Sequence, residues 1–151
     1  MTGNAPTTPR SNDRVRAEAM FIWPIRMYWE DTDAGGVVYH ASYLRFLERA
    51  RTEWLRAMGF GQDVLRERDG CVFVVRAMQL DFLRPARLDD MLAVDVALLA
   101  RRGASLLLRQ AIRRDDATLL QAEVKVACVG ATDFRPRAIP DRMAALLTEP
   151  E

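Results

Sequence analysis

The chain is short of the residues that most often build metal and redox sites. Its 151 residues include one histidine, two cysteines and one lysine, Lys125. Cys71 and Cys128 stand alone, without CxxC spacing. Two cysteines and one histidine are too few for a tetrahedral zinc set drawn from those residue types. They read instead as buried free thiols of a reducing compartment. A long apolar run is also missing: nothing approaches the roughly 18 residues that a membrane span needs. Nor is one sign of charge in excess. The formal net charge is +1, so no global bias toward nucleic acid or a membrane surface follows. The basic residues are nearly all arginine, whose guanidinium pairs bidentately with phosphate.

What remains is an ordinary globular composition, half hydrophobic and 28% charged, long enough for one domain with a core. Residues 1–18, rich in Thr, Pro and Asn, lack the apolar region of a secretory signal and read as a disordered leader. Residues 19–151 read as a single domain, with the cytoplasm as its default location. No internal repeat is apparent.

Residues 31–40 carry the densest chemistry. Asp31-Thr32-Asp33-Ala34-Gly35-Gly36-Val37-Val38-Tyr39-His40 places two carboxylates, two adjacent glycines and the only histidine within ten residues. Spacing alone makes the aspartates turn or cap residues and His40 a helix-start residue. A carboxylate, flexible backbone and a helix N-terminus are also what water activation and oxyanion stabilisation require. Upstream, Phe21 to Glu30 reads as a strand, with Pro24 pointing to an early or edge position. Downstream, Tyr43, Phe46, Leu47, Ala50, Trp54, Leu55, Ala57 and Met58 recur at three- and four-residue steps, which predicts a helix over 43–58. Ser42 is its expected N-cap and Gly59 its stop. Surface pairing is expected of Glu48 and Glu53, the latter with Arg49 or Arg56. A short second helix is expected from about Gln62 to Arg68, stopped by Gly70.

Beyond Gly70 the period falls to two. Val74, Met78, Leu80 and Phe82 alternate imperfectly. Leu92, Val94, Val96 and Leu98 alternate more cleanly, and Leu106, Leu108 and Ile112 form another series. Leu120, Ala122, Val124, Val126 and Cys128 are the best. Turn signals separate the runs, which predicts a four-strand antiparallel meander. A last short helix is expected near 141–147, capped by Asp141. A sheet with one apolar face must cover it, and the helix over 43–58 is the only large apolar cover available. The result is an α+β protein, one sheet around one helix.

The residues from Trp29 through Leu44 and the run Glu48-Arg49-Ala50-Arg51-Thr52-Glu53 closely resemble the acyl-CoA thioesterases associated with the Tol-Pal system. Phe73-Val74-Val75-Arg76 and Leu83-Arg84-Pro85-Ala86 match as well. Those enzymes belong to the 4-hydroxybenzoyl-CoA thioesterase branch of the hotdog fold, and the resemblance covers about residues 25 to 130. It implies an antiparallel sheet of about five strands wrapped around one long central helix. It also implies a homodimer or homotetramer, with sheets joined edge to edge and active sites at the interface.

The substrate implied is an acyl-CoA or acyl carrier protein thioester, without a cofactor, since coenzyme A is part of the substrate. The family's catalytic carboxylate falls on Asp33, as general base or nucleophile, and its histidine on His40, whose backbone N–H would help form the oxyanion hole. Trp29, Gly36, Val37 and Tyr39 become candidate substrate-binding residues; Trp29 stands where members often carry Tyr. Asp31 is expected to serve the loop, and Tyr39 and Tyr43 to form core or pocket wall. Arg84, Arg101, Arg102, Arg135 and Arg137 are candidates to meet coenzyme A phosphates, though each is individually expected to be a solvated charge. Two other functions are compatible with the chain: a hotdog dehydratase or hydratase, and a module docking an acyl carrier protein. The first generally needs its acidic group in the central helix, whereas Asp33 precedes it. The second leaves the Asp-Gly-Gly loop unexplained.

Overall fold

A computed structural model describes residues 20–147; the leader expected over 1–18 lies outside them. Strand β1, Phe21–Arg26, is followed by a single tight turn of helix, Trp29–Asp31, and by the central helix α1, Ser42–Ala57. A short helix α2, Gln62–Val64, widens into the turn Leu65–Asp69. Then come β2, Cys71–Phe82, β3, Met91–Arg102, β4, Ser105–Arg114, and β5, Ala117–Gly130, before a last turn α3, Asp141–Ala144. All pairings are antiparallel. The strand order is β1-β3-β4-β5-β2.

That order corrects the expected four-strand meander. β3, β4 and β5 form one, but β2 crosses to the far side and pairs with β5. The connection after β2 is what carries the chain back: Leu83 and Arg84 donate to the Leu119 carbonyl, and Asp89 turns with φ of 68°. β1 stops at Arg26 rather than Glu30, because Met27 N–H turns to the Asp90 carbonyl and the chain coils at Trp29–Asp31. Pro24 does sit on an edge strand.

The helix is one residue out of its expected frame. Ser42 is not the N-cap: it lies inside α1, buried, and its hydroxyl accepts from Arg45 Nη2 at 3.2 Å. Gly59 and Gly70 do end their helices, with φ of 84° and 64°. Positive φ costs a side-chain-bearing residue roughly 1–2 kcal/mol. Asp141 lies within the first turn of α3, with Pro140 in the cap position.

The imperfect alternation of β2 has a cause. A bulge between Val75 and Ala77 inserts Arg76 and switches the pairing parity of everything after it. Further irregularities between Leu98 and Ala100 and opposite Ile112 help the sheet curl around α1. Tyr43, Phe46, Leu47, Ala50 and Leu55 of the helix form one core with Leu92, Val94, Val96, Leu106, Leu108, Ile112, Leu120, Ala122, Val124 and Val126. Each fully buried side chain of this kind stabilises the fold by roughly 1.5–3 kcal/mol.

One helix-facing position of β4 is polar. Gln110 is fully buried. Its amide donates to the Leu47 carbonyl of α1 at 3.1 Å and the Asp95 carbonyl of β3 at 3.2 Å, and its oxygen accepts from Arg51 Nη1 at 2.9 Å. On β3 the Asp95 carboxylate accepts Ala111 N–H at 2.7 Å, so side chains stand in for a backbone rung. Burial pushes the Asp95 carboxyl above its ordinary range, against the Ala111 N–H and the nearby Arg113.

Two outcomes follow. Gln110→Leu strands the Arg51 guanidinium and should lower the unfolding free energy by about 3 kcal/mol in urea melts. For Asp95 the folded chain holds its proton more tightly than the unfolded chain does. Its contribution therefore favours folding below the ordinary carboxylate value, about 3.9, and is lost as pH rises through the raised folded value. Asp95→Asn keeps the acceptor without the ionisation. The variant's stability should gain on the native chain between about pH 4 and about pH 7, measured by urea melts at both ends.

Candidate active site

The loop between β1 and α1 is built by its two aspartates in different ways. Asp31 is 4% exposed. Its carboxylate accepts Tyr28 N–H at 2.8 Å and meets Arg45 Nη2 at 3.3 Å, and its carbonyl accepts Tyr39 N–H. Both ends of the loop are thereby fastened to one residue, the structural role expected of it. Asp33 is exposed. Its Oδ1 accepts Gly35 N–H at 2.8 Å, and its backbone closes a tight turn through Gly36 N–H and the Val37 carbonyl. Gly36 has φ of 80°, and a side chain on Gly35 would meet Asp33 Oδ1 at 3.0 Å. The two glycines thus let the turn form and leave the carboxylate uncovered.

The far end of the loop runs into α1. Val38 N–H reaches the Ala86 carbonyl, and Ser42 N–H the Tyr39 carbonyl. Between them, His40 and Ala41 N–H make no backbone hydrogen bond among the described residues. Two donors are therefore available at the positive end of a sixteen-residue helix. The His40 ring is exposed, edge-on to Tyr39 at 4.6 Å and to Phe82 at 6.4 Å between centroids. Tyr43 is core: it packs against Phe46 and Phe82, and its hydroxyl accepts Ala86 N–H at 2.9 Å. Burial raises its phenol above the usual range.

Of the sequence candidates, Asp33, Gly36, Val37, Tyr39 and His40 share this loop, but no hydrogen bond joins Asp33 to His40 among the described residues. Trp29 stands beside them, 79% exposed. The arginines divide. Arg84 follows the Phe82 end of β2, near His40. Arg101 and Arg102 lie at the opposite end of the sheet, where Leu106 and Ser105 pair toward Val126 and Ala127. Arg137 is engaged with the carbonyls of Asp69 and Gly70. Glu53 pairs with Arg56; Glu48 forms no ion pair among the described residues and lines a cavity instead.

That cavity, about 300 Å³, lies between α1 and the sheet. Phe73, Val74, Val75, Leu106, Leu108 and Val126 form its sheet side, and Glu48, Arg51, Thr52 and Leu55 its helix side. The residue type of Arg51 does not mark it among the many arginines of the chain. The available signal was its place four residues after Leu47 and four before Leu55, on the buried stripe. Phe82 carries no signal beyond its place in the β2 alternation, and Gln110 interrupts the Leu106, Leu108 and Ile112 series of β4. The cysteines are buried and free, as expected. Burial and the neighbouring Cys71 push the Cys128 thiol up to about 12, which leaves it a protonated packing group.

An antiparallel sheet around one helix, with an exposed Asp33-Ala34-Gly35-Gly36 turn in the loop that leads into that helix, defines a hotdog-type hydrolase scaffold. The profile of the thioesterase-like superfamily matches residues 27–147, and the chain belongs to that family. It is 50% identical over 127 residues to the acyl-CoA thioester hydrolase YbgC of Escherichia coli O6:H1, covering 83% of this chain and 94% of that one. It is 46% identical over 125 residues to the acyl-CoA thioesterase YbgC of Haemophilus influenzae, covering 83% and 92%. A probable thioesterase from Bartonella henselae, 38% identical, superposes with a TM-score of 0.78 over 81% of this chain and all of that one.

The two aspartates should separate by experiment. Asp31→Ala should cost about 1–2 kcal/mol of stability by freeing Tyr28 N–H and Arg45. Asp33→Asn keeps its acceptor and should leave the urea midpoint close to the native one.

Proposed function

We propose that the chain hydrolyses acyl-CoA thioesters to free acid and coenzyme A. The observation that carries this reading is an uncovered Asp33 carboxylate on the same loop as two unengaged amides at the start of α1. Asp33 acts as general base toward water, which attacks the thioester carbonyl carbon. The His40 and Ala41 N–H groups receive the charge that develops on the carbonyl oxygen, a donor arrangement worth about 10²–10³ in rate per donor. Collapse of the tetrahedral species expels the thiolate, which takes the proton held by Asp33. Direct attack by Asp33, through an anhydride, would use the same groups.

Trp29, Gly36, Val37 and Tyr39 contact the substrate around the reacting thioester, and His40 orients it. Water is the only co-reactant, so no cofactor is required. The active form pairs two chains through their β2 edges. β2 ends the sheet with half-exposed Val75 and Phe82 along it, an edge that invites a further strand. The activity is cytoplasmic, a reading supported by the two buried free thiols and by a coenzyme A substrate. No helix among the described residues is long and apolar enough to cross a membrane.

Asp33→Asn should lose at least about 10²-fold in kcat when thiol release from a panel of acyl-CoAs is followed. His40→Ala should lose less, because its backbone N–H stays. An active Asn variant would remove Asp33 from the chemistry, and hydration of enoyl-CoA without thiol release would favour the dehydratase reading. Turnover of acyl carrier protein thioesters alone would move the substrate from coenzyme A to the carrier.

A further inference from the structure

The cavity behind the β2 edge has one feature that packing does not explain. Its walls are largely apolar, yet a guanidinium is set into its helix side. Arg51 is 9% exposed. Among the described residues its only hydrogen bond is the one to Gln110 Oε1, through Nη1. The remaining N–H donors of the fork have no acceptor among the described residues. Glu48 lines the same cavity but forms no ion pair with Arg51 among the described residues, so the charge is met at range and not by contact. Burial lowers the Arg51 pKa from its ordinary value, with Glu48 opposing. A largely buried cation whose spare donors reach an open cavity is suited to receive an anion.

The position of the cavity fits the acyl end of the substrate, and this step rests on the thioesterase reading above. Phe73, Val74 and Val75 on its wall belong to the first half of β2, whereas Phe82, next to His40, ends that strand. In the edge-joined pair the two β2 strands run antiparallel. The first half of one then lies against the Phe82 end of the other. The cavity of one chain thereby opens toward the Asp33 loop of the second copy.

We infer that Arg51 is a specificity-determining residue, whose free guanidinium N–H groups bind a carboxylate at the far end of the acyl group, so that the preferred substrates are coenzyme A monothioesters of dicarboxylic acids. The methylene chain lies along Val74, Val75, Leu106 and Val126, and the carboxylate completes the fork that Gln110 holds in place. Gln110 fixes the plane of the guanidinium, which is what bidentate recognition needs.

The test compares acyl-CoAs of equal chain length with and without a terminal carboxylate, from succinyl to suberyl against butyryl to octanoyl. The native enzyme should favour the carboxylated member of at least one pair by about tenfold or more in kcat/KM. Arg51→Met should abolish that preference, and Arg51→Lys, which keeps the charge without the fork, should keep only part of it. Circular dichroism and melting curves establish that each variant is folded. A preference for the unsubstituted or hydroxylated acyl group, or a carboxylate preference that survives Arg51→Met, would overturn the assignment.

A readout independent of turnover is calorimetric titration with free adipate. Saturable binding to the native protein that is absent in Arg51→Met and Arg51→Lys supports the site, and absence of binding to the native protein counts against it. If no acyl-CoA releases thiol while adipate binds through Arg51, the thioesterase reading fails and the anion site stands.

Discussion

The fold is anchored by one amide. Gln110 sits on a strand, beneath the middle of the central helix, and binds a carbonyl of that helix, a carbonyl of the neighbouring strand and a guanidinium at once. The apolar surfaces of α1 and the sheet are cohesive but not directional. They would tolerate the helix sliding or rotating by part of a turn. Three hydrogen bonds made without water fix its depth, azimuth and position along the strands, because each is costly to leave unmade in that environment. Everything at the N-terminal end of the helix inherits this placement, including the amides of His40 and Ala41 and the loop that leads into them.

The loop itself is fastened at both ends and closed in the middle by a tight turn. Asp31 holds Tyr28 and Tyr39, Ala86 holds Val38 and Tyr43, and the turn at Asp33 hangs between them. Two neighbouring carboxylates of the same type therefore do opposite work. The buried one is consumed by hydrogen bonds, and the exposed one holds only the Gly35 N–H among the described residues and faces solvent. The central helix orders two separate places: the chain entering it leaves the His40 and Ala41 N–H groups unengaged, and its third turn sets Arg51 against the cavity. Rigid elements carry both, which favours precise geometry over adaptability.

Local pattern made some of this legible and not the rest. The stripe from Tyr43 to Leu55 declared the helix because it follows a 3.6-residue period, and β5 declared itself because its alternation is unbroken from Leu120 to Cys128. The crossing of β2 to β5 was invisible, since strand partners far apart in sequence leave no local mark. The parity change at Arg76 looked like noise, because a bulge preserves burial while shifting it by one residue. Gln110 stands at a position of the Leu106, Leu108 and Ile112 series where the pattern expects an apolar residue. At the site, spacing alone leaves Asp31 and Asp33 alike as turn residues; the family resemblance is what separates them, and burial does so in the structure, where Asp31 is enclosed and Asp33 exposed. Arg51 hid in plain view, as a charge on an apolar stripe.

The two ends of the sheet are unlike one another, and this limits how the molecule can multiply. One end is β1, six residues long and interrupted by Pro24; the other is β2, twelve residues long and open. A ribbon that extends itself indefinitely needs two ends that accept strands, so that each added copy recreates the vacancy it fills. Here the short, proline-bearing end resists a newcomer, and an addition at the long end uses up that vacancy on both molecules together. Edge-to-edge addition at β2 would thus be self-terminating, closing after one step, because β1 offers no matching vacancy among the described residues.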